Sequence, residues 1–282
     1  MIQIAVLLTC YNRRQKTETC LHSFFTAIRD VRGYSFTVFL TDDGSTDGTS
    51  DSIKRLFPHV QVIAGQGNLF WAGGMRLAWN KALHSGLSFD AYLLINDDVE
   101  FLPFFWESIL STQTYALKTY AKEGIYVSST KDKETGTLTY GGHGLQNHIF
   151  RHRTFPVEPC TQPKKCRLAN ANILFVPRTV ADQLGVLDAR FTHSLADFDY
   201  TLTASQRGIP VLVTPGFGGY CANDHPEDVL SASLSRAQRI QNLYSHKGLV
   251  LNEYLYYLRK HFCFKAPYAF IVLWAKALFR NC

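Results

Sequence analysis

Three apolar runs that each break off into a polar or acidic turn limit the fold of this chain more than any other feature. "IQIAVLLTCYNR" opens the sequence, "FTVFLTDDGSTDGTSD" follows, and "AYLLINDD" spans residues 91–98. Continuous apolar runs of this length read as strands buried on both faces. Between them lie stretches with apolar residues at helical spacing, "TETCLHSFFTAI", "SDSIKRLF" and "AGGMRLAWNKALHSG". Ser50 or Asp51 is the expected N-cap of the second, and Gly86 the expected end of the third. "VQVIAG" supplies one more short strand. Strands alternating with helices predict an α/β fold around a mostly parallel sheet with both faces covered. In such sheets ligands bind beyond the carboxyl ends of the strands. Three polar turns, Thr9-Cys10-Tyr11-Asn12, Asp42-Asp43-Gly44-Ser45 and Asn96-Asp97-Asp98, therefore share one rim, which is the expected site.

After residue 100 the alternation loosens. "PFFWESILSTQTYALKTYA" reads as a helix, and "IYVSSTKDKETGTLTYGGHG" as strands around an exposed turn. Residues 151–166 are basic and carry prolines, which suggests a loop. "NANILFVPRTVADQLGVLD" reads as a strand and then a helix, with Pro177 near its start and Gly185 near its end. The chain from about Arg236 is helical in character. Its most apolar stretch, "APYAFIVLWAKALF", is interrupted by Lys276 and falls short of the roughly 20 apolar residues that span a bilayer. Two readings stand for residues 260–280: a helix lying in a membrane interface, or one packed on the domain.

A formal net charge of +6 over 282 residues is mild. Without a concentrated basic face it argues against a nucleic-acid binder, and it suits an anionic substrate or membrane surface. The seven cysteines are odd in number and widely spread. No signal peptide precedes the first strand-like run, so free thiols and a cytoplasmic setting are expected.

Adjacent carboxylates at a strand end repel each other unless a cation neutralises them. Asp97 and Asp98 thus point to Mg²⁺ or Mn²⁺, which binds one or two carboxylates together with substrate phosphates. The plain alternative is a solvated turn. In "GNLFWAGGMR", Gly73 and Gly74 fall at an expected helix start, where backbone N–H groups favour phosphate.

Taken together these motifs resemble the family-2 glycosyltransferases, inverting nucleotide-sugar enzymes with the GT-A fold. "TCYNR", "TDDGSTDGT", "GNLFWAGGMRLAWNKAL", "LLINDDV" and "LADFDYTLTASQRG" carry the likeness, in the family's order, across most of residues 4–208. "LFWAGGM" is similar to the rhamnosyl- and galactofuranosyltransferase-like members. The resemblance implies a nucleotide-sugar-binding half over 1–100, an acceptor and catalytic half over 101–235, and a helical tail over 236–282. Thr9, Tyr11 and Asn12 would then line the base pocket and Asp43 would hydrogen-bond the base. Asp97 would approach the ribose or the sugar, and Asp98 would bind the metal. Asn96 stands where the family's Asp-x-Asp begins, so that first contact is open.

Asp197 matches the aspartate of the family's Glu-Asp motif and is the expected base, with Ala196 in place of its acidic neighbour. Asp199 is the fallback base, a substrate contact, or a structural acceptor for nearby backbone N–H groups. A capped helix start with an acidic first turn is the alternative for both. His225 is either a second metal ligand or a surface histidine. Trp71, Trp106, Tyr140, His143, Asn170 and Asn172 are candidates for shaping the acceptor pocket, with Trp71 foremost because its flat face can stack on a sugar.

The implied reaction moves a sugar from a UDP- or dTDP-sugar to a glycan or lipid-linked glycan of the cell envelope, at the inner face of the plasma membrane. Its rivals are a nucleotidyltransferase, a catalytically dead nucleotide-sugar-binding module and a glycoside hydrolase. The first should show a Gly-rich phosphate loop at the first strand, which "LLTCYNRRQK" lacks.

Overall fold

The computed structural model describes residues 1–147, 152–223, 230–231, 233–245 and 249–279. Strand β1 (Ile2–Cys10) leads to helix α1 (Arg14–Ala27), β2 (Tyr34–Asp42), α2 (Thr49–Leu56), β3 (Gln61–Ala64), α3 (Phe70–Leu83) and β4 (Ala91–Ile95). Next come β5 (Glu100–Phe101), α4 (Phe105–Tyr120), β6 (Ile125–Lys131), β7 (Leu138–Tyr140), β8 (Gly142–Asn147) and β9 (His152–Pro156). Then follow β10 (Lys164–Lys165), β11 (Leu168–Ala169), β12 (Ile173–Pro177), α5 (Arg178–Leu184), α6 (Ala196–Gln206) and β13 (Val211–Tyr220). The chain closes with α7 (Arg236–Tyr244), α8 (Leu251–Phe262) and α9 (Lys265–Phe279).

The main sheet runs β10-β13-β6-β12-β4-β1-β2-β3. β1, β2, β3 and β4 are mutually parallel, β12 inserts antiparallel between β4 and β6, and β13 is parallel to β6. Because β12 opposes both of its neighbours, β6 and β13 point the same way as β4. The carboxyl ends of β1, β2, β4 and β13 therefore share one rim. A smaller sheet, β11-β8-β9, stands beside it.

Alternation along β1 shows why both faces are covered. Ala5 and Leu7 join a core with Trp79, Leu94, Phe191 and Tyr257, while Ile4, Val6 and Leu8 join another with Leu21, Phe24 and Trp106. A period of two sends neighbours to opposite faces, and each face gains its own helical layer.

Several expectations change. The N-cap of α2 is Gly48, at φ 79°, so Ser50 and Asp51 lie inside the helix. α3 ends at Leu83, ahead of Gly86. Part of the expected loop at 151–166 is ordered as β9, paired with β8, and β10, paired with β13. Helix α8 is no appendage, since Tyr257, Leu258 and Phe262 sit in the core beside α6. Trp106 is wholly buried against Tyr34, Phe36 and Phe175 and has no access to any pocket. As expected, the six described cysteines form no disulfide with one another.

Candidate active site

Strand register sets the rim. Cys10 pairs with Asp42, and Leu7 with Leu94, so three further steps bring Asp97 level with Cys10. From the other side, Ile173 of β12 pairs with Ile95, and Asn172 O accepts the N–H of Asn96 at 3.1 Å. The acidic end of β4 is thus locked between β1 and β12.

Asp97 and Asp98 converge on one cation. Arg13 Nη1 lies 2.9 Å from Asp97 Oδ1 and 3.0 Å from Asp98 Oδ2. Asp97 Oδ2 is buried with no hydrogen-bond partner. Burial pushes the Asp97 carboxyl up to about 6, with Asp98 adding repulsion and Arg13 opposing both. Cys221, just past β13, donates Sγ–H to Asp98 Oδ1 at 3.4 Å. Asn96 accepts from Trp71 Nε1 at 2.8 Å, so the indole is tethered at the first position of the acidic motif.

An anionic oxygen buried without a partner is what a metal site leaves when seen without its ion. Among the described residues no group of three or more His, Cys, Asp or Glu is placed to hold a metal. The chain's described contribution is then Asp97 and Asp98, and a hard divalent ion that takes its other ligands from phosphate and water needs no more. The donor set fits. His225 lies outside the described residues.

Asp197 is bonded to the segment that holds the end of β4. Its Oδ2 accepts from Ala171 N at 3.2 Å and its Oδ1 from Phe198 N at 2.8 Å. Ala171 adjoins Asn172, which holds the end of β4. Burial raises the Asp197 carboxyl above the ordinary carboxylate range, against these N–H donors and the nearby His143. His143 sits on β8 opposite Leu168, bonded to Asn170 Oδ1 at 2.8 Å and packed on Phe198.

The loop ahead of α6 is clamped from two sides. Arg76 Nη1 donates to Asp188 O at 3.0 Å and Phe191 O at 2.6 Å, and Glu253 of α8 accepts from Thr192 N and Oγ1. Leu195 then turns the chain at φ 68°, and Asn12 and Phe70 hold φ 50° and 52° on neighbouring loops. Left-handed non-glycine residues gather where surrounding structure overrides local preference.

Other expected residues have different duties. Asp199 is buried with Lys260 Nζ at 2.7 Å and His261 Nε2 at 2.8 Å, so it anchors α8 and is neither base nor substrate contact. Two residues along a helix is about 200° of turn, which sends Asp197 and Asp199 to opposite sides. Asp43 accepts from Gly67 N (2.8 Å), Leu69 N (2.8 Å) and Phe70 N (3.1 Å). Its carboxylate thus satisfies the start of α3, the place the sequence assigned to phosphate.

The next α3 donors are also taken, Ala72 N by Thr192 O and Gly73 N by Leu69 O. Gly73 and Gly74 are buried rather than open to a ligand. A Cβ on Gly74 would fall 2.1 Å from Thr9 Oγ1, so this glycine lets α3 approach β1. Thr9 faces that contact and is 8% exposed. Asn12 donates N–H to Ser45 Oγ at 2.8 Å and accepts from Thr46 N at 2.7 Å, joining two rim loops. Tyr11 and Asn12 are both exposed, Tyr11 at 54%.

The residue that sequence reasoning missed is Arg13. Asn12 before it carried a signal, since Asn tolerates the left-handed turn that swings Arg13 back over the rim. A cleft of 410 Å³ beside Asp98 is lined by Lys16, Thr19, Glu100, Lys133 and Tyr220. An open cleft lined by Asn12, Arg13, Arg14 and Lys16 adjoins it. Cationic side chains, rather than helix N–H groups, line these clefts.

A mixed sheet with an acid pair past the end of β4, and Asp197 of α6 bonded to the segment that holds that end, has the architecture of the GT-A fold. The family model for glycosyl transferase family 2 matches residues 5–168, more than half of the chain. The chain belongs to that family.

Among solved structures, GalNAc-T7 with UDP, GalNAc and Mn²⁺ is similar at 14% identity and TM-score 0.56, over 76% of this chain and 43% of that one. The mannosyltransferase PcManGT from Pyrobaculum calidifontis, in complex with GDP-Man and Mn²⁺, is similar at 14% identity and TM-score 0.52, over 97% of this chain and 73% of that one. At such identities the likeness is one of fold, and this chain spans less than half the length of GalNAc-T7. No curated protein sequence matches.

Proposed function

We propose that this protein transfers a sugar, with inversion, from a nucleoside-diphosphate sugar to a hydroxyl of a glycan or lipid-linked glycan. The observation that supports this reading is the segment 171–172, where Ala171 N–H donates to Asp197 and Asn172 O accepts from Asn96, the residue before Asp97. As the acceptor oxygen attacks the anomeric carbon, its proton passes to Asp197, and the bond from that carbon to the diphosphate oxygen breaks. Each Asp197 oxygen has a lone pair left beyond its backbone bond, and its raised affinity for protons suits a base. The two N–H donors fix its orientation and leave a free position for the incoming proton.

Asp97 Oδ2 and Asp98 would hold Mn²⁺ or Mg²⁺, with Arg13 giving up its bridge between them. When bound, the ion offsets negative charge on the departing diphosphate. Arg13 and Lys16 add positive charge from the same wall. His225 is proposed as a further ligand because Cys221, four residues earlier in sequence, touches Asp98. Tyr11 is the open side chain proposed to flank the base, which the family resemblance makes uracil or thymine. Trp71 is proposed to reach the sugar by its free edge. A place in cell-envelope polysaccharide synthesis, at the inner face of the plasma membrane, goes with a lipid-linked acceptor.

A thermal-shift series with UDP, dTDP and GDP, each with and without Mn²⁺, tests the donor reading. A pyrimidine nucleotide at about 100 Kd should add about 2.7 kcal/mol of stability, and only when the ion is present. Equal shifts without Mn²⁺, or none with any diphosphate, would overturn it. Release of nucleoside diphosphate that depends on acceptor separates transfer from binding alone.

A further inference from the structure

Helix α9 meets the rest of the protein along one side. Ala266 and Ala277 are buried there, and Arg239 of α7 donates Nε–H to Ala277 O at 3.1 Å. At 100° per residue, the opposite side carries Tyr268, Ile271, Ala275 and Phe279, continued backward by Phe264. Phe264 is 92% exposed, Phe279 74% and Ile271 65%. The face turned to solvent is therefore apolar along its whole length, and Lys276 stands at its edge. Soluble surfaces rarely leave such a continuous apolar stripe without a use.

Charge selects the occupant. From Tyr254 to Cys282 the sequence holds five cations and no acidic residue. Lys260 is paired with Asp188 and Asp199 and Lys265 is buried against Asn147, while Arg259 and Lys276 are exposed. Among the described residues no helix is long and apolar enough to cross a membrane. Fifteen residues of helix reach roughly 22 Å, short of a hydrocarbon core of about 30 Å. An apolar stripe edged by cations, on a helix too short to span, matches the chemistry of an interfacial helix.

We propose that the outer face of α9 docks this protein on an anionic lipid bilayer, with the helix lying in the headgroup plane. Phe264, Ile271 and Phe279 enter the acyl boundary, and Lys276 meets lipid phosphates by snorkelling from the edge. The inference rests on the reading above only in giving a lipid-linked acceptor a surface on which to be met.

Flotation of the full chain with vesicles tests it without donor, metal or acceptor, so its outcome is independent of the transfer chemistry. The chain should float with phosphatidylcholine and phosphatidylglycerol in roughly equal parts, and weakly with phosphatidylcholine alone. Ile271→Asp and Phe264→Ser, both at exposed positions, should each cut binding by roughly tenfold or more while thermal melting is unchanged. Lys276→Glu should cut binding to the anionic vesicles by roughly tenfold and leave the weak binding to the neutral ones. Failure of the parent to float, or equal flotation of parent and Ile271→Asp, overturns the proposal. So does a parent that is dimeric without lipid and made monomeric by Ile271→Asp, because the stripe is then a contact between copies.

Discussion

The end of β4 and the start of α6 each present two closely spaced aspartates, and the structure treats them in opposite ways. Asp97 and Asp98 are neighbours past a strand end, and both meet Arg13 within 3.0 Å. Asp197 and Asp199 are two residues apart on a helix, so one takes N–H groups from Ala171 and Phe198 while the other pairs with Lys260 and His261. The first pair acts as a unit that calls for a cation. The second is two single groups, one oriented by backbone N–H groups and proposed as the base, the other spent on holding the tail. Close spacing in sequence does not decide this; backbone geometry and distant partners do.

The sharpest way to break the comparison is to neutralise each member of the helical pair. Asp197→Asn should lower turnover by about 10²–10⁴-fold with donor binding intact, read as acceptor-dependent release of nucleoside diphosphate. Near-normal transfer would remove Asp197 as the base. In the strand-end pair, Asp98→Asn should cost about 10²–10³-fold and abolish stimulation by Mn²⁺, a pattern Asp197→Asn must not share. Asp199→Asn should leave donor affinity in place but destabilise the fold by about 3 kcal/mol, seen as a lower urea midpoint. An unchanged midpoint would deny the anchoring role.

How much of this was legible follows from the range of each interaction. β1, β2 and β4 announce themselves because burial on both faces needs a continuous apolar run. Their rim follows from parallel pairing, so Asp97 and Asp98 could be placed without coordinates. The role of Asp43 could not, because it rests on N–H groups more than 20 residues later. Gly74 reads as a phosphate contact or a packing contact with equal ease until Thr9 is seen against it. The duty of Asp199 is set by a helix about 60 residues away, and that of Arg13 by one left-handed turn at Asn12. Local pattern gives elements and their ends, whereas long-range pairing decides which polar group is already engaged.

The finest test asks whether the strand-end pair is under electrostatic stress without its cation. The Asp97 carboxyl is held at about 6, above its ordinary 3.8, mainly by burial. A raised acid favours folding fully below pH 4, and that contribution is lost as pH rises through 6. Asp97→Asn, which has no charge to bury, should therefore gain on the metal-free parent as pH rises. Two pKa units set an upper bound of about 3 kcal/mol on the gain by pH 8, a figure that already contains the opposing pull of Arg13. Urea midpoints at pH 4 and pH 8 supply the measurement. Saturating Mn²⁺ with a nucleoside diphosphate should erase or reverse the advantage, because the ion then stabilises the parent alone. A parent-to-variant difference that is flat with pH would mean Arg13 already neutralises the pair, leaving the acid motif no more in need of a cation than the helical one.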